Sequence, residues 1–85
     1  MRFLVANRLK EGPTEEVKAL IPAELARTKE LAQEGAVEAV YIAADMSGAW
    51  LVWNVDSKDA LEEVHKTLPL HDHLDQDITL LADQQ

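Results

Sequence analysis

Residues 37–55 read VEAVYIAADMSGAWLVWNV, and their reading decides the fold. Val37–Ala44 carries Val37, Val40, Tyr41 and Ile42, the branched and aromatic types that suit a pleated strand. Asp45-Met46-Ser47-Gly48 then supplies turn chemistry, with an Asp that can bond its own backbone and a glycine. Ala49–Val55 is a second such run, rich in Trp and Val. The two runs make a β-hairpin. Side chains alternate across a strand, so Val40 and Ile42 share one face and Tyr41 takes the other; Trp50 and Val52 oppose Leu51 and Trp53. Both faces of this hairpin are therefore apolar.

Toward the N-terminus, Phe3–Leu9 is a short apolar strand stopped by Glu11-Gly12-Pro13. Thr14 is a good N-cap, and Glu15 and Glu16 stand where the helix dipole favours negative charge. The helix runs to about Glu34, with Gly35 at the position of a C-terminal glycine cap. Pro22 interrupts the pattern. Either the helix kinks there, or a first turn ends near Ile21 and the main helix begins on Pro22. Toward the C-terminus, Asp56 or Ser57 caps a second helix to about Thr67, with Leu61, Val64 and Leu68 on one stripe. Pro69 ends it, because proline pushes Leu68 out of the helical region. Ile78–Ala82 is a last strand. The order β-α-β-β-α-β predicts an α+β, ferredoxin-like fold: an antiparallel sheet with two helices on one face. The second sheet face is left bare, which predicts a dimer packed sheet on sheet.

Eighty-five residues make one domain, 1–85, whose modest core favours association into a homodimer or a higher homo-oligomer. The net charge of −8 argues against nucleic acid and anionic membranes. No run is long enough to span a membrane, and polar Asn7, Arg8 and Lys10 cut short the opening apolar stretch, so no signal peptide is expected. The chain has no cysteine, which excludes disulfides and thiolate metal sites and fits a cytoplasmic protein.

Glu24 is the residue best placed for chemistry. The inner stripe of the first helix runs Val17, Leu20 or Ile21, Glu24, Thr28, Leu31, and a carboxylate interrupts it. Burial would raise its pKa toward the range of a proton shuttle. Arg27, three residues on, is in reach of Glu24 or of an anionic ligand. His71 and His73 are two apart and, in an extended segment, point the same way. They lack a third placed ligand, so no metal is expected; either can act as an acid/base or a donor at a pocket mouth. His65 lies beside the Leu61–Leu68 stripe and reads as a structural boundary residue. Trp50 and Trp53 fall on opposite faces, one toward a pocket and one toward the interface, and Tyr41 joins the same set of aromatic candidates.

Glu34-Gly35 before the second strand, the turn and Trp/Val third strand, Val55-Asp56-Ser57, Ala60-Leu61, and Leu68-Pro69-Leu70 followed by Asp75 together resemble the muconolactone isomerases. The resemblance is strongest from about Glu24 onward. It implies a dimeric α+β barrel without a cofactor, moving a proton across an unsaturated lactone or enol acid in aromatic catabolism. It also implies a glutamate at position 24. The chain departs from the family at Tyr41-Ile42, where the family has Trp-Arg, at His71, where it has an aromatic residue, and at Ala82-Asp83-Gln84-Gln85, where it has a histidine-containing tail. The expectation is a small acid/base isomerase with Glu24 and His73 catalytic, and Arg27, Tyr41, Trp50 and His71 holding a small organic acid or lactone. Two other readings stay open: a non-catalytic small-molecule-binding oligomer, and a cofactor-free monooxygenase acting on an aromatic.

Overall fold

A computed structural model describes residues 1–82; the tail departure at 83–85 lies outside the described residues. The elements are β1 (Arg2–Leu9), α1 (Glu15–Gln33), β2 (Val37–Ile42), β3 (Gly48–Asn54), α2 (Lys58–His65), a 3₁₀ turn (His71–His73) and β4 (Leu74–Leu80). The sheet order is β2-β3-β1-β4, and every neighbouring pair is antiparallel. Each helix thus connects two parallel strands with a third lying between them, the arrangement predicted for the ferredoxin-like fold.

Local chemistry explains the boundaries. Thr14 Oγ1 accepts the Val17 N–H at 3.2 Å and Ser57 Oγ accepts that of Ala60 at 3.0 Å, so Ser57 and not Asp56 caps α2. At the end of α1, Gly35 has φ 85°, its N–H donates to Ala32 and that of Ala36 to Leu31. That is a Schellman closure, and glycine enters the left-handed region without steric penalty. Helix α1 runs unbroken through Pro22. The N–H missing at Pro22 orphans the Lys18 carbonyl, and both residues are exposed, so water can take that bond. Asp45 is a turn residue: its Oδ1 accepts the Ser47 N–H at 3.0 Å.

Phe3, Val5, Leu51, Trp53 and Val37 on the sheet meet Leu31 of α1 and Leu61 of α2 in one core, so both helices cover the same face. A bulge between Val37 and Ala39 lets Val37 and Val40 share that face although they are three apart. Some boundaries differ from the sequence reading: α2 ends at His65 and β4 at Leu80, each two residues early. β2 stops at Ile42, and β4 begins at Leu74, four residues before Ile78. Asp75, Gln76 and Asp77 hide the start of β4, because an edge strand tolerates polar residues that a buried one does not.

Candidate active site

The cleft that matters lies between α1 and the sheet. It encloses about 110 Å³. Ile21, Leu25 and Thr28 of α1 form its roof, and Val40, Ala49 and Leu51 much of its floor. The walls are mostly apolar; the exceptions are Glu24, Thr28 and Asn7. Leu25, Ile42 and Met46 at its open side are about half exposed, which gives the mouth an apolar rim.

Glu24 enters this cleft from the roof. Its Oε1 accepts the Leu70 backbone N–H at 2.9 Å. That donor exists because Pro69 breaks the chain away from α2 and leaves the next amide without a helical partner. Burial pushes the Glu24 carboxyl above its ordinary value, and the Leu70 N–H opposes that push without cancelling it. The result is a half-buried carboxyl in an apolar groove, fixed through one oxygen.

The other residues selected from the sequence lie elsewhere. Arg27 does not reach Glu24: its Nε donates to Thr67 Oγ1 at 3.1 Å, and its guanidinium is 3.8 Å from Glu30. A helix turns about 100° per residue, so Arg27 leaves Glu24 on the side toward α2, whereas Thr28 and Leu25 leave it on the side of the cleft. His71 and His73 are not extended. The 3₁₀ turn splits them, sending His71 Nδ1 to Asp72 at 3.1 Å and His73 Nε2 to within 3.6 Å of Glu16. Neither lines the cleft. Tyr41 and Trp50 pair with each other across β2 and β3 on the bare face, 64% and 47% exposed, so they cannot wall a pocket beneath the helices. Trp53 is the tryptophan that faces the helices, fully buried in the core.

Sequence reading missed Asn7. Phe3, Val5 and Asn7 follow each other at a spacing of two on the helix-facing side of β1, and that alternation was the available signal. Asn7 is 9% exposed and sits on the cleft floor. Gln76 Nε2 donates to its Oδ1 at 3.0 Å and is in hydrogen-bond contact with Nε2 of His65, a residue only 2% exposed. Burial, with the nearby His71 adding to it, pushes the His65 pKa down to about 4, so its imidazole is neutral at pH 7. Among the described residues no three His, Asp or Glu side chains are grouped closely enough to hold a metal, and no helix is long and apolar enough to cross a membrane.

Comparison with known proteins agrees with this architecture. A solved structure of 5-chloro-2-hydroxyhydroquinone dehydrochlorinase from Burkholderia phenoliruptrix, in complex with 2,5-dihydroxybenzoquinone, superposes with a TM-score of 0.80. The match covers 99% of this chain and 96% of that one at 17% identity, a likeness of fold. No curated protein sequence is a significant match. The sequence model of the muconolactone delta-isomerases matches residues 1–85 from end to end, and the chain belongs to that family.

Proposed function

We propose that the chain is a cofactor-free acid/base catalyst that moves a proton on a small unsaturated lactone or enol acid, with Glu24 as the shuttle. One observation carries this reading: the single carboxyl in an apolar cleft is Glu24, and its pKa is raised by that burial. A carboxylate there can take a proton from the carbon conjugated to the carbonyl through the double bond, the γ carbon of an α,β-unsaturated lactone. The electron pair moves into the conjugated system and places charge on the carbonyl oxygen. The carboxylic acid then returns the proton to a different carbon, and the double bond has moved with no net oxidation. Membership of the muconolactone delta-isomerase family supports this chemistry. The dehydrochlorinase of similar fold is named for loss of HCl from a chlorinated hydroxyhydroquinone, which also needs a proton moved between oxygen and a ring carbon. We assign the bare sheet face, with Tyr41 and Trp50 exposed on it, to contact with a second copy of the chain.

The test is proton exchange. Muconolactone in heavy water, with the protein added, is expected to take up deuterium at ring or side-arm carbons, followed by NMR. Glu24→Gln keeps shape and removes the base, and exchange is expected to fall by roughly 10²–10⁴-fold. Exchange at the native rate in that variant would remove Glu24 from the role.

A further inference from the structure

Buried Asn7 of β1 and His65 of α2 are joined by Gln76 of β4 on the sheet's helix-covered side, and leucines would pack at the two buried positions at less cost. The burial is not free of consequence: His65 Nδ1 and Trp53 Nε1 are left buried without a hydrogen-bond partner among the described residues. At the other end the network uses up Asn7 Oδ1. That leaves the Asn7 NH₂ group, which has no partner among the described residues, on the floor of the cleft whose roof holds Glu24.

We propose that Asn7 is the ligand-orienting residue of this cleft: Gln76 and His65 lock its carboxamide so that the N–H groups take the carbonyl oxygen of a ring ligand whose acidic carbon, conjugated with that carbonyl, meets Glu24. This rests on the proton-transfer reading of Glu24 and extends it by naming what the ligand must carry. The locking follows from donor and acceptor bookkeeping. Neutral His65 offers a lone pair at Nε2, so Gln76 turns its NH₂ toward it. The same NH₂ then faces Asn7, which can answer only with its oxygen, and the donor end of Asn7 is delivered to the cleft. A donor there stabilises the oxyanion that forms when the conjugated carbon loses its proton. The ligand class is therefore an enolisable cyclic carbonyl compound. Gln76 and His65 are positioning residues and touch no ligand.

The experiment uses two rings of equal size, 2(5H)-furanone and 2,5-dihydrofuran, which differ in the carbonyl. Titrated into ¹⁵N-labelled protein, the furanone is expected to shift the Asn7 side-chain amide signals and the dihydrofuran to leave them in place. Asn7→Leu is expected to weaken furanone binding by about tenfold or more. Gln76→Glu replaces a donor by an acceptor at an exposed position, so Asn7 turns round and presents its oxygen; furanone binding is expected to fall as far, with Asn7 itself unchanged. If furanone leaves the Asn7 signals unmoved, or both variants bind it as the native protein does, the proposal is wrong. Glu24→Gln separates the two readings. Loss of exchange there with furanone binding unaffected by Asn7→Leu sinks the Asn7 role alone. Native exchange there with binding lost in Asn7→Leu sinks the Glu24 role alone.

Discussion

Glu24 and His65 are both pushed toward their neutral forms by burial, and they bend stability in opposite directions. Glu24 has a folded pKa above its ordinary 4.5, so the folded state holds its proton longer than the unfolded one does. Stability then falls as pH rises through that window and is level above it. His65 is lowered from 6.5 to about 4, so between those values the unfolded chain binds a proton that the folded chain refuses. Stability is full above pH 6.5 and is lost as pH falls toward 4. At ~1.4 kcal/mol for each tenfold change, the His65 loss reaches roughly 3 kcal/mol. Urea unfolding at pH 7, 5.5 and 4 is expected to give a falling midpoint, and His65→Leu a flatter profile over the same range. An unchanged slope in that variant would place the acid sensitivity elsewhere. Glu24 was legible in the sequence because one carboxylate broke a regular stripe. Asn7 was legible in principle from strand alternation. Its partners were not, because Gln76 is 69 residues away and only the completed sheet brings the two together.

Among the elements, the hairpin end of β3 is the tightest fit. A Cβ on Gly48 would run into the backbone oxygen of Asn7 and press on the Arg8 Cα at 3.2 Å, so glycine is needed for a close approach rather than for a turn. Gly48→Ala is expected to push β3 off β1, costing about 1–3 kcal/mol or more. Because the added Cβ presses on the Asn7 backbone itself, its side-chain amide resonances are expected to move as well. A thermal midpoint and an HSQC spectrum check both; native values would show that the sheet yields easily there. The element order, the caps and the hairpin were all readable from local chemistry. The start of β4 was not, since its polarity reflects an edge position set by β1. The two histidines misled for a related reason: a spacing of two means a shared face only in extended chain, and His71–His73 folds into a 3₁₀ turn.

For the whole molecule, the bare sheet face is the strongest remaining driver. Leu4, Ala6, Val52, Trp50 and Tyr41 lie there beyond reach of either helix, while Arg8 faces Asp75 across the β1–β4 edge. The proposed pairing with a second copy would cover this face. Sedimentation equilibrium at micromolar concentration is expected to give a dimer or larger, and Trp50→Glu a monomer of native circular dichroism. A native protein that sediments as a monomer would refute the assignment. The aromatic content of this face was clear from alternation alone. What alternation could not say was which tryptophan turned inward, because that depends on which face the helices choose.

The bond from the Leu70 amide to Glu24 has a stereochemical consequence. It holds Oε1 from the helix side while the sheet closes the other, which leaves Oε2 as the oxygen without a protein donor and the more basic of the two toward a ligand. On the proposed chemistry, a planar ring in the cleft shows one face to that oxygen throughout. The departing and arriving hydrogens then share that face, so the shift is suprafacial, and only one enantiomer of a chiral lactone presents its acidic hydrogen correctly. A single backbone amide, exposed by one proline, would thereby set the handedness of the reaction.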